Sequence, residues 1–261
     1  MSVGARLGAF LLVLLGTFGT AYAVGEKLPG HSHSGHTHGP GSVVPPGFES
    51  NGHRLVTDSV KGADGEPRLL TFHLEMTDGM RVTEFDDNHG ALLHAIVVRP
   101  DLSGFQHLHP DIADDGSWQV PLDEPGQWHM VFDLLPSGTS AAVVVSANSD
   151  DEVAVEPVPL PDPDDDVTVD GLRVVRDGLT FTVTNDDGSP ATDLEPYLGK
   201  AAHLVALRQG DLAYVHLHAT DEMPGMFMFG SALPEAGTYR LFLQFGHDGD
   251  VVTVPFTVTQ P

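Results

Sequence analysis

The chain has 261 residues and no cysteine, which excludes disulfides, thiolate metal sites and cysteine nucleophiles. Acidic residues outnumber basic ones 37 to 12, a formal charge of −25. Such a surface repels polyanions, so neither nucleic acid nor an anionic membrane surface is expected as a partner, and most of the carboxylates read as a solubility adaptation.

Residues 1–23 read as a signal peptide. Arg6 supplies a minimal positive region, residues 7–20 are apolar and small, and Ala21-Tyr22-Ala23 fits the small-x-small cleavage pattern. The apolar stretch falls short of the ~20 residues of a spanning helix. This predicts export to a secreted, periplasmic or cell-surface location; an N-terminal membrane anchor is the alternative. Residues 24–51 are rich in Gly, Pro, Ser and His and lack apolar periodicity, which predicts a disordered tether. It carries His31, His33, His36 and His38, and reads either as a low-affinity metal buffer or as a spacer of biased composition. A first domain is expected over 52–156. Pro/Asp-rich residues 157–166 form a stiff linker, and a second domain spans 167–261.

Within each domain the apolar runs are short, rich in Val, Leu, Phe and Thr, and separated by Gly, Pro and Asp. Strands are predicted at 69–76, 92–98, 105–109, 118–122, 127–134 and 140–147. The second set is 172–176, 179–184, 203–207, 213–218, 238–245 and 251–258. This spacing, with no helical apolar stripe anywhere, predicts an all-β chain of two tandem immunoglobulin-like antiparallel sandwiches.

The domains repeat one another. His94, His107 and His109 recur as His203, His216 and His218 at a single offset of 109 residues, as do Thr71/Thr180, Phe72/Phe181, Gly90/Gly199 and Arg99/Arg208. The turn at 99–104 joins two strands into a hairpin. If Val98 faces Phe105, then Ile96 faces His107 and His94 faces His109. Cross-strand partners and residues two apart share a side, so each trio lies on one face of its hairpin. The opposite face, Ala95, Val97, Gln106 and Leu108, is nearly all apolar and belongs to the core. A register change of one residue would disperse the trio.

Three imidazoles meeting at a point suit Zn(II), Cu(II) or Ni(II), with water or another group completing the shell, and copper or zinc is the expected ion. The bland alternative is three neutral rings bonded to one another or to backbone carbonyls. His129 is a candidate fourth ligand or a strand residue on the solvent face. Met223, Met226 and Met228 lie just after His218 and read either as copper-like thioether ligands or as gap fillers. His53, His73, His89 and His247 have no counterpart in the other domain and are expected at the surface.

The segments HAIVVRPDLSGFQHLHPD and DEPGQWHMVFDLLPSG resemble the YtkA-like family of exported immunoglobulin-like domains. The second domain does so more loosely through HLVALRQGDLAYVHLHA and LPEAGTYRLFLQF, with Ala219 in place of the proline. CopC-type copper carriers offer a looser similarity. The resemblance implies a sandwich fold and metal, particularly copper, handling at the cell envelope. No GxSxG, HExxH or Gly-rich phosphate loop is present. The expectation is a non-enzymatic metal-binding protein with one three-histidine site per domain, which sequesters the ion or passes it to a membrane metal transporter. The alternative is an envelope interaction or scaffold module with structural histidines.

Overall fold

The computed structural model describes residues 47–261, apart from 64–66, 150, 152, 231–232 and 234. The expected signal peptide and nearly all of the tether, with its four histidines, lie outside the described residues. The described residues are all-β. The first domain contains β1 (Glu49–Ser50), β2 (His53–Lys61), β3 (Arg68–Met76), β4 (Phe85–Asp86), β5 (Leu93–Val98), β6 (Gln106–Leu108), β7 (Ser117–Leu122), β8 (His129–Pro136) and β9 (Val143–Asn148). The second contains β10 (Asp166–Val169), β11 (Leu172–Asp177), β12 (Thr180–Asn185), β13 (Leu194–Glu195), β14 (His203–Arg208), β15 (Tyr214–His218), β16 (Asp221–Met223), β17 (Met226–Met228), β18 (Gly237–His247) and β19 (Asp250–Gln260).

Each domain is a sandwich of two antiparallel sheets. In the first, β1-β2-β3-β7 packs on β4-β8-β5-β6, with β9 also paired to β8. In the second, β10-β11-β12-β17-β16 packs on β13-β18-β14-β15, with β19 paired to β18. The cores are apolar: Phe72, Trp118, Phe132 and Leu134 fill the first, and Phe181, Tyr239, Phe245 and Phe256 fill the second. Strand β2 was not foreseen, because its alternation is interrupted by a bulge between Thr57 and Ser59. Strand β1 begins three residues before the expected domain start at Gly52, within the stretch assigned to the tether.

Strands β5 and β14, which carry His94 and His203, are buried on both faces. In β5 all six residues are buried. Leu93, Ala95 and Val97 point into the sandwich core, while Ile96 and Val98 enter a separate apolar cluster. That cluster joins Ile96, Val98, Leu102, Val131 and Val144 of the first domain to Val205, Leu207, Tyr214 and Phe242 of the second. Phe105 and Phe242 stack across it, with ring centroids 3.8 Å apart and planes at 7°. A strand covered on both sides loses its polar/apolar alternation and reads as a continuous apolar run, as β5 and β14 do. The two domains therefore dock through equivalent sheet faces, and those faces bear the histidines.

Two turns meet at the edge of this contact. A Cβ on Gly90, whose φ is +95°, would sit 2.6 Å from the carbonyl oxygen of Leu198, so only glycine fits. Leu198 is the second-domain counterpart of His89, and both hold positive φ, 48° and 62°. Among the described residues no helix is long and apolar enough to cross a membrane.

Because Phe242 belongs to the contact between domains, its truncation tests that contact. Phe242→Ala is expected to destabilise the protein by about 3 kcal/mol, read as a lower urea midpoint. An unchanged midpoint would mean that the two sandwiches unfold without sharing this cluster.

Candidate metal centre

Register places the histidines as the pattern requires. Ala95 pairs with Leu108 and Ile96 with His107, while His203 pairs with His218 and Val205 with His216. Strands β8 and β18 flank the trios from the other side, setting Asp133 opposite His94 and Gln244 opposite His203.

In the first trio three nitrogens converge. His94 Nδ1 lies 2.9 Å from His107 Nε2, and His109 Nε2 lies 3.2 Å and 3.1 Å from those two atoms. The second trio repeats this, with His203 Nδ1 3.1 Å from His216 Nε2. Ligand nitrogens of His203, His216 and His218 all fall within 4.8 Å of one another. Four-coordinate zinc with bonds of ~2.0–2.1 Å spaces its ligand nitrogens by roughly 3.3 Å. The observed triangle is close to that size.

The other ring nitrogens decide where the protons are. His94 donates Nε2–H to the Asn88 carbonyl at 2.6 Å, and His203 donates Nε2–H to the Tyr197 carbonyl at 2.9 Å. A carbonyl only accepts, so these nitrogens carry the proton and each Nδ1 presents a lone pair. His107 donates Nδ1–H to Gln244 Oε1 at 2.7 Å. In this orientation the Gln244 amide also donates from Nε2 to Thr253 Oγ1 at 3.0 Å. His107 Nε2 therefore also presents a lone pair, toward His94 Nδ1. In these tautomers no proton lies between the two nitrogens, and the group could hold a cation there.

Burial keeps the rings neutral. It holds His94 below its ordinary value and His107 and His216 well below it, with neighbouring imidazoles adding to the effect on the latter two. His109 and His203 are lowered to about 4 by burial first and by His94 second. His218 is also lowered by burial and by His216, and its Nε2 is buried without a hydrogen-bond partner. Tying off one nitrogen while the other stays free is how metal-ligating histidines are oriented.

The trios are not separate sites. His94 and His216 rings lie 4.9 Å apart, edge to face, and ligand atoms of His94, His107 and His216 fall within 4.8 Å of one another. The trios, expected one per domain, face each other across the domain contact. The groups behind the middle histidines are exchanged between domains. Gln244 of the second domain holds His107 of the first, while Asp133 of the first faces His216 Nδ1 of the second at 3.7 Å. Asp133 accepts hydrogen bonds from Asn88 Nδ2 at 2.9 Å and Tyr214 Oη at 3.3 Å. Burial pushes its carboxyl up.

Other candidates fall elsewhere. His129 pairs with Val98, four cross-strand pairs along from the His94–Asp133 pair, and is buried with Nδ1 against Asn148 Oδ1 at 2.8 Å. It is neither a solvent-face residue nor a member of the cluster. Met226 and Met228 lie on β17, in the sheet on the far side of the second sandwich, where Phe227 points into the core between them. They are kept from the histidines by that core. His53 and His73 are buried rather than exposed; His73 is held by Asp58 and Glu75. His89 is exposed as expected and packs against His218, with centroids 4.0 Å apart and planes tilted by 37°. Asp133 and Gln244 were missed. The repeat contained the clue, since Asp133 and Gln244 are equivalent positions once the two-residue insertion in the second domain is allowed for.

A family model described as Domain of unknown function (DUF8832) matches residues 49–150 and again 167–261. The chain belongs to this family. Both DUF8832 matches contain a complete histidine trio. No curated protein matches the sequence. The chain is similar to the dimeric latent PorU from Porphyromonas gingivalis, at 11% identity and a TM-score of 0.26, over 79% of this chain and 24% of that one. It is also similar to the Escherichia coli adhesin FdeC, at 16% identity and a TM-score of 0.24, over 84% of this chain and 65% of that one. The chain thus spans less than two thirds of either protein, and neither likeness bears on function. These matches do not confirm the YtkA-like or CopC-type resemblance; they support a tandem DUF8832 protein.

The lowered histidines set a direction for pH dependence. Unfolded, these rings take up protons near their ordinary value of 6.5; folded, His109 and His203 do so only near 4. Between those values the unfolded chain binds more protons, so stability is full above pH 6.5 and is lost on acidification toward pH 4. Asp133, raised by burial, acts in the opposite sense but is a single group. Melting of the chelator-treated protein is expected to move to lower temperature across this window, and a flat profile would contradict the buried, neutral cluster.

Proposed function

We propose that this protein is an exported, non-catalytic metal-binding protein that holds copper or zinc ions between its two domains. The observation that carries the reading is the convergence of His94 Nδ1, His107 Nε2 and His109 Nε2 at 2.9–3.2 Å. Two of the three distal ring nitrogens are engaged by fixed acceptors. Imidazole without thiolate suits Zn(II) or Cu(II), and a partly exposed third ring on each trio leaves a route for the ion to enter. The apolar contact formed by Ile96, Val98, Phe105 and Phe242 limits water around the rings and fixes their spacing. Export rests on the signal-like residues 1–23, and delivery to a membrane metal transporter is the role such a location suggests.

The competing reading is an envelope scaffold in which the histidines only tie strands together. Hydrogen bonds from His94 and His203 to backbone carbonyls favour it in part. Metal-dependent melting separates the two. An ion at a hundredfold its Kd stabilises the fold by about 2.7 kcal/mol, so excess Zn(II) or Cu(II) is expected to raise the melting temperature by several degrees. His94→Ala with His107→Ala is expected to remove part of that gain, and the same pair of changes at His203 and His216 the remainder. A melting temperature indifferent to metal would favour the scaffold.

A further inference from the structure

The two trios repeat one pattern, but what stands behind their middle histidines differs. Behind His107 stands a neutral amide, Gln244, held in place by Thr253. Facing His216 Nδ1 at 3.7 Å, beyond a direct hydrogen bond, stands a buried carboxylate, Asp133, held by Asn88 and by the Tyr214 hydroxyl. The supports differ in the same paired way: Tyr214 is the counterpart of Phe105, which has no hydroxyl and stacks on Phe242 instead. A further imidazole, His89, packs on His218, whereas its counterpart in the other domain is Leu198. His218 also carries the buried nitrogen that lacks a partner.

We propose that the trios form one two-ion centre whose positions fill in order, the Asp133-backed position of His203, His216 and His218 taking a divalent cation before the Gln244-backed position of His94, His107 and His109. The proposal rests on the metal-binding reading above and adds the order and its cause. A carboxylate behind a ligating imidazole makes the ring a stronger donor and neutralises part of the ion's charge. An amide orients the ring without supplying charge. Outer partners of this kind are worth 10–100-fold in metal affinity. Since each partner comes from the opposite domain, neither position is complete in one domain alone. The first position would retain an ion and the second exchange it, an arrangement suited to accepting and passing on a divalent cation.

Site-resolved titration tests this in the full chain. Ring carbon–proton NMR signals of labelled histidines, assigned through single His→Gln variants, are followed as Zn(II) alone is added. The His216 and His218 signals are expected to convert to the bound form before those of His107 and His109. Asp133→Asn is expected to weaken the second-domain position by 10–100-fold and abolish the order. Gln244→Glu, which leaves Asp133 and its hydrogen bonds in place, is expected to bring the first-domain position forward, and it carries the test if Asp133→Asn fails to fold. Simultaneous filling in the wild type, the reverse order, or an order indifferent to Gln244→Glu would overturn the inference while leaving metal binding intact. No change at any of the six histidines would overturn both.

Discussion

A neutral imidazole has two nitrogens and one proton, and in this protein the location of that proton organises the domain contact. His94 and His203 each give it to a backbone carbonyl in a turn, and His107 gives it to an amide of the neighbouring domain. The remaining lone pairs then point at one another at about hydrogen-bond distance with no hydrogen to share. Ile96, Val98 and Phe105 on one side and Val205, Tyr214 and Phe242 on the other pack an apolar cluster beside the rings. Charging the rings is costly where they are buried, so the fold keeps a concentrated set of neutral imidazole donors.

The tandem repeat acquires a structural purpose in this light. A single DUF8832 domain would expose the histidine face of its β5- or β14-bearing sheet, together with Ile96 and Val98 or Val205 and Leu207. Two copies bury those faces against each other, which dries the site and lets each domain supply the group that fixes the other's middle histidine. Gly90 permits the close approach of the turns that carry the proton-accepting carbonyls. Packing, tautomer and ligand geometry are thus set by one interface.

Much of this was legible in the sequence. The hairpin register, the shared face of each trio and the all-β sandwich architecture follow from alternation, turn residues and the repeat. The contact between the domains was not legible, because periodicity within a strand records which residues face alike and not what covers them. The buried Ile96 and Val98 beside His94 were the available hint. Asp133 and Gln244 escaped notice since one is acidic and the other neutral; identity matching passes over positions that are equivalent in space but differ in chemistry. The methionines misled for a related reason: proximity along the chain to His218 is undone by the turn into β17, which carries them to the opposite sheet. His129 likewise reads as a ligand by type, yet its place opposite Val98 sets it along the strand from the cluster.

The most direct measurement is a crystal structure of the protein loaded with Zn(II) or Cu(II), with anomalous scattering recorded at both absorption edges. The account predicts strong peaks between the β5–β6 and β14–β15 hairpins, each at ~2.0–2.1 Å from imidazole nitrogens of a trio. Peaks confined to surface groups such as Asp193, His247 and Asp248, with the six interfacial rings unaltered and metal-free, would contradict it.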